Sequence, residues 1–293
     1  MATPQFEGRP VVADGPAAAR KSAGKPLPVG RPAFWLPLGT LWSRELVIFF
    51  RQRGRLAGAV GTPLLFWLLI GLGFGKSFRA AAPRAPAGMG YLEYFFPGTI
   101  LLVVLFSSIF STMSVIEDRN EGFLLSVLVA PISRAALVLG KILGGSTLAL
   151  AQGLVFVVLA PLIGIRLGLG QAIGVTAVLF LISFALTALG FYFAWRLDSV
   201  QGFHSVMSLV LLPMWLLSGA LFPVSGAHFW IRLLMRVNPL TYGMAALRNA
   251  LYGTREPGAP PMVLSVGVMA GFGILALAAG WWEVKRPSSR GAA

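Results

Sequence analysis

The chain contains no cysteine and only two histidines, His204 and His228. The first absence excludes disulfide scaffolds, thiolate metal centres and cysteine nucleophiles. The second excludes imidazole-rich metal sites. Charge is scarce as well. Asp, Glu, Lys and Arg make up 12% of the 293 residues, roughly half the share of about 25% found in soluble domains. So few charges cannot cover a soluble surface. What fills the chain instead is apolar: 56% of residues are hydrophobic, and the mean hydropathy is +0.78. The sequence reads as an integral membrane protein.

The few charges are unbalanced, 24 basic against 10 acidic, for a net +14. The basic residues sit in short segments between apolar runs and not on one face of a folded domain. That pattern fits the positive-inside bias, with anionic lipid headgroups as the partner and no nucleic acid. Six stretches reach the roughly 20 residues that a helix needs to cross the hydrocarbon core. They predict spans at about 56–75, 95–116, 135–163, 171–195, 205–223 and 260–282. Barrel strands would be short and alternating, so the expected fold is an all-α membrane domain over residues 34–285. Residues 1–33, rich in Ala, Pro and Gly with no signal-peptide core, read as a disordered tail. Residues 286–293 form a second, shorter tail. With the N-terminus placed inside, sixteen of the 24 basic residues fall on the cytoplasmic side, which predicts both termini there.

Two further segments are neither spans nor simple loops. Residues 36–55 place Leu38, Leu41, Trp42, Leu46 and Phe49 on one helical face and Arg44, Arg51 and Arg55 on the opposite one. Such a helix is expected to lie in the membrane interface as an anchor, its basic side toward headgroups and cytosol. Between spans five and six, Phe229, Trp230, Leu233 and Leu234 recur at helical spacing around Arg232 and Arg236. The Asn238-Pro239 pair then breaks the helix, and a second helix, Leu240–Leu251, ends at Gly253. Two half-immersed re-entrant helices on the outer face are predicted.

No acid sits in the middle of a predicted span, which argues against a carrier coupled to protons or sodium. No nucleophile is placed beside a base, which argues against a membrane-embedded enzyme. Lys141 is the one charge within the third apolar run. It lies about two turns from Arg134, so its ammonium is expected to snorkel to the membrane surface as an anchor. Gln152 could hydrogen-bond across helices or touch cargo, with helix packing the expected role, and Gly71/Gly75, Gly140/Gly144 and Gly267/Gly271 have spacings that permit close helix approach.

The most specific signal is the stretch EDRNEGFLLSVLVAPISRAALVLGK, Glu117–Lys141. Mixed charges and Gly122 open it, a short apolar helix Phe123–Val129 follows, Pro131 stops the chain, and Arg134 starts the third span. A helix this short is marginal alone, and its apolar surface invites a protein partner.

Together with YLEYFFPGTI at 91–100 and NPLTYGMAALR at 238–248, this stretch resembles the permeases of the ABC-2 type transporter family, over roughly residues 34–283. The resemblance implies a six-span permease, cytoplasmic at both termini, in a bacterial inner membrane. It would pair with a second copy or a paralogous permease and dock ABC-type ATP-binding subunits. Glu117, Asp118, Arg119, Glu121, Gly122, Phe123, Leu124, Leu125, Pro131 and Arg134 would then form the coupling element that enters the ATPase. Arg44, Glu45, Arg51 and Arg55 would belong to the connecting helix. Arg232, Arg236, Asn238, Pro239 and Tyr242 would belong to the outer re-entrant pair that closes the exit. Many family members carry an acid near position 124 or 125, where this chain has two leucines. The chain lacks the G-x-x-x-x-G-K-[ST] loop that cradles phosphates. Catalysis, ATP and Mg are thus expected on the partner, and no cofactor or metal in this chain. The expected function is export of a lipidic, drug-like or glycan substrate, with an ATP-independent carrier or channel as the alternative.

Overall fold

A computed structural model describes residues 34–51, 53–73, 90–130, 132–255 and 258–286, without the side chains of residues 53–60, Leu125 and Leu128. The expected tail 1–33, the C-terminal residues after Arg286, Pro131 and the side chains of Arg55 and Leu125 lie outside the described residues.

Every long apolar run becomes helix, because within a bilayer each backbone N–H and C=O must find its partner inside its own segment. In chain order the α-helices are α1 (Trp35–Arg51), α2 (Arg53–Gly73), α3 (Tyr91–Ser111), α4 (Met113–Asn120), α5 (Phe123–Val129) and α6 (Arg134–Val157). They continue as α7 (Leu169–Arg196), α8 (Val200–Leu216), α9 (Phe229–Val237), α10 (Pro239–Tyr252) and α11 (Met262–Lys285). Among the described residues four units are long and apolar enough to cross a membrane: Tyr91–Asn120, Arg134–Ile163, Leu169–Arg196 and Met262–Lys285. Gly61–Gly73 and Val200–Leu216 are shorter apolar helices.

Helices α3, α6 and α7 form the centre, with Phe95, Phe96, Phe156 and Phe191 fully buried among them. α11 packs along α7, α2 along α3, and α1 against α6. Neighbouring helices run up and down. Arg119 after α3 donates to the Trp195 carbonyl at the end of α7 (2.9 Å), and Arg134 at the start of α6 donates to the Val284 carbonyl at the end of α11 (3.2 Å). These contacts define a charged end. At the opposite end Tyr252 donates to the Glu93 carbonyl (2.6 Å).

Lipid is as apolar as leucine, so close packing and hydrogen bonds do most to hold such helices together. Gly140 and Gly144 illustrate the packing: a Cβ on them would lie 2.9 Å from the Leu41 Cβ and 2.7 Å from the Glu45 Cβ. The Gly140/Gly144 spacing therefore seats α1 on α6 within one chain.

The fifth predicted span, 205–223, ends earlier as a helix, at Leu216. Gly219 turns the chain with φ +88°. Side chains catch the carbonyls released there: Asn238 Nδ2 donates to Met214 (2.6 Å) and Thr241 Oγ1 to Leu217 (3.1 Å). Asn238 Oδ1 also caps α10 by accepting from the Leu240 N–H (3.0 Å), with Pro239 in the first turn, where its missing N–H costs nothing.

The pair 229–252 departs from the half-immersed expectation on one side only. α9 is peripheral, exposing Phe229, Trp230, Leu233 and Leu234 and burying Met235. α10 is core: Leu240, Met244, Leu247, Arg248 and Leu251 are buried against α11, α7 and α3.

Candidate functional site

At the charged end four side chains from three helices meet. Arg44 and Glu45 come from α1, Asp118 from α4 and Lys141 from α6. Arg44 grips Asp118 with both arms of its fork, Nη1 to Oδ2 at 2.9 Å and Nη2 to Oδ1 at 2.7 Å. The Lys141 ammonium donates to the carboxylates of Glu45 and Asp118 and to Ser114 Oγ (3.3 Å). Burial pulls the Arg44 guanidinium down. The hydrogen bond and charge of Asp118, with Glu45 and Glu121 adding, outweigh it and leave the group above the ordinary arginine value. Two cations facing two anions make the cluster electrically balanced, the condition under which buried charge is tolerable.

This corrects the sequence reading at Lys141 and Arg44. Lys141 is no surface anchor: it is 5% exposed and bound on both sides by carboxylates. Glu45 is buried, and Arg44 points into the protein. The buried face of α1 is Leu41, Glu45 and Phe49, while Trp42 is exposed. A polar stripe was legible in α1. That it meets a complementary charge on α6 was not, because Glu45 and Lys141 are 96 positions apart.

The cluster reaches α5 through a cation–π contact, with the Arg44 guanidinium carbon 4.1 Å from the centre of the Phe123 ring. Gly122 precedes Phe123 with φ +76° and turns the chain between α4 and α5. Leu124 and Val127 anchor α5 in a small core with Leu41 and Leu137. Glu121 and Ser126 remain exposed, and Val129 is 87% exposed. Arg119 is bound by the Trp195 and Leu197 carbonyls and lies 3.5 Å from Asp198. Of the remaining predicted residues near this end, Arg51 is exposed.

The outer set separates. Tyr242 donates to the Arg236 carbonyl (2.9 Å), Arg236 itself is exposed, and Arg232 closes back on the Ala227 carbonyl (3.0 Å). A buried cation at this end is one the sequence reading placed in the second half-immersed outer helix. Arg248 of α10 bonds the Tyr94 hydroxyl (2.9 Å) and carbonyl (3.3 Å) and lies 3.9 Å from the centre of the Tyr94 ring. Its position one residue after Leu247 and three before Leu251, on an apolar face, was the available signal.

Between the two ends lies a cavity of about 500 Å³, bounded by α1, α2, α3, α4, α6 and α8. Glu117 and Ser114 line it near the charged end, and Phe66 and Trp215 line it toward the other. Phe106 and Phe110 of α3 and Gln152 of α6 also line it. Glu117, grouped in the sequence with the coupling residues, faces this cavity. His204 stacks on Phe110 with ring centres 4.6 Å apart. Among the described residues no group of three potential metal ligands occurs.

The sequence profile of the ABC-2 type transporter family matches residues 37–252. The ycf38 protein of Cyanophora paradoxa, whose name describes a transport permease, is 29% identical over 214 residues, 72% of each chain. The daunorubicin resistance ABC transporter permease protein DrrB1 of Streptomyces coeruleorubidus is 25% identical over 265 residues, 87% of this chain and 89% of its own. The ycf38 protein of Porphyra purpurea is 25% identical over 211 residues, 71% of each chain. The charge cluster, the short helix α5, the cavity and all of α10 fall within the matched region, and the chain belongs to the ABC-2 type transporter family of membrane permeases.

Proposed function

We propose that this permease is the membrane subunit of an ATP-driven exporter, working as a dimer with a separate ABC-type ATP-binding subunit. It would span the cell inner membrane six times, α2 and α8 adding to the four long units, with both termini cytoplasmic. The observation that carries the reading is α5. It is a short helix with an exposed tip at the charged end, and the Phe123–Arg44–Asp118–Lys141 chain of contacts ties it to α1, α4 and α6. A partner that displaces α5 pulls on three helices at once, and those helices wall the cavity. ATP and Mg bind the partner, and this chain contributes no catalytic group.

The second permease subunit, a copy or a paralogue, rests on membership of the family. The name of the DrrB1 relative supports a drug-like cargo among the lipidic, drug-like and glycan classes. The buried cluster does not favour a proton-coupled carrier, because each of its charges is already paired within the chain.

The test is copurification of the ATP-binding subunit at matched expression. Val129→Asp puts a charge on the exposed tip of α5, and loss of one anchor in a packed interface costs at least ~2 kcal/mol, about thirtyfold in affinity. The variant should insert normally and lose its ATPase. Full retention of the ATPase by Val129→Asp contradicts the docking role of α5.

A further inference from the structure

We propose that the cavity beside α3 binds an amphipathic organic cation and that Glu117 selects its charge. The inference deepens the permease reading and rests on it for the part the site plays in transport. A volume of about 500 Å³ lies within the roughly 300–1,000 Å³ typical of small-molecule sites. The walls are mainly aromatic and aliphatic, with Phe49, Phe66, Phe106, Phe110 and Trp215 contributing five rings. Ring faces are negative and attract cations.

The charged lining is of one sign. Glu45 and Glu117 line the cavity, and no Lys or Arg does so among the described residues. The two acids are not equivalent. Glu45 is neutralised by Lys141. Glu117 is exposed, and among the described residues its carboxylate has neither an ion pair nor a hydrogen bond. An anion in the cavity would approach this carboxylate with no lining cation to offset it among the described residues, Lys141 and Arg44 being held by Glu45 and Asp118. A neutral ligand would cover it and leave it without a partner. A cation would supply the missing charge, with its apolar body against the rings and Gln152 at hand for a polar group. From Leu102 to Glu117 the lining follows about 22 Å of helix, long enough to separate a charged head from an apolar body.

Tetraphenylphosphonium and tetraphenylborate share a shape and carry opposite charges, so the pair isolates the sign. The measurement is equilibrium dialysis of both ions against the purified full chain in zwitterionic nanodiscs, with uptake by empty nanodiscs subtracted. Tetraphenylphosphonium should occupy one saturable site per chain, and tetraphenylborate should not compete for it. Glu117→Gln should weaken tetraphenylphosphonium by about tenfold or more, as loss of a charge-assisted contact requires. Glu117→Asp should keep most of the affinity, and Phe106→Ala should weaken binding with the carboxylate intact. Equal affinity for both ions, an unaffected Glu117→Gln, or no binding because a second copy fills the cavity would each overturn the proposal. The assay uses neither ATP nor partner. Glu117-dependent binding without ATP-driven transport would therefore sink the exporter reading alone. ATP-driven transport without charge preference would sink only this site.

Discussion

Lys141 reads in one dimension as a charge that must escape an apolar run, and the nearest exit is the membrane surface. In three dimensions the escape is unnecessary, because carboxylates from α1 and α4 come to it. Sequence patterning reports which face of a helix a residue occupies. It does not report which face of another helix arrives opposite. The same limit hid Arg248, whose partner Tyr94 lies 154 positions away. The balance of the cluster gives a prediction. Lys141→Met leaves buried Glu45 only its longer contact with Arg44 (3.7 Å) and should destabilise the protein by up to about 3–5 kcal/mol. The double variant Lys141→Met with Glu45→Gln removes one charge of each sign, keeps the Arg44–Asp118 fork, and should recover most of that loss. Thermal unfolding of the purified variants in detergent checks both. A silent Lys141→Met, or a double variant less stable than the single, contradicts the pairing.

At the scale of elements, α5 was legible from end to end. Gly122 and Pro131 bracket an apolar run too short to cross, and the helix occupies Phe123–Val129. Gly122 sits at φ +76°, and a Cβ there would meet nothing within 4 Å, so its role is conformational and not steric. Gly122→Ala should therefore cost about 1–2 kcal/mol and tilt α5 away from Arg44, lowering ATP-binding-subunit copurification while the helices still insert. Unchanged copurification would mean that the αL turn does not set the pose of α5. The outer pair was half legible. Asn238-Pro239 marked the break, but the depth of α10 was not visible, because its small residues Gly243 and Ala246 read as neutral until the neighbouring helices bury them. The end of α8 was misplaced for a related reason. Residues 217–223 are apolar enough to continue a span, yet the chain turns there because Asn238 and Thr241 satisfy the freed carbonyls.

For the whole molecule, the apolar runs made the membrane class and helical fold plain, and three motifs in order made the family plain. The energetic link between motifs was not visible, since it depends on α1 lying along α6 and bringing Arg44 over Phe123. The six-span arrangement has a clean topology test, because the chain has no cysteine of its own. Ser126→Cys at the charged end should label only from the cytosol, and Thr254→Cys beyond α10 only from outside. Labelling of both from one side would overturn the arrangement.

The central claim is that energy enters this permease through α5 from a separate ATP-binding subunit. Short-range chemical crosslinking from Ser126→Cys in native membranes tests it most directly. The expected result is a covalent adduct with a P-loop ATPase, formed in the single-cysteine chain and absent when Val129→Asp is added. A Ser126→Cys chain that is reached by cytosolic reagent, sits in membranes containing its assembled ATP-binding subunit, and forms no adduct with that subunit would contradict it.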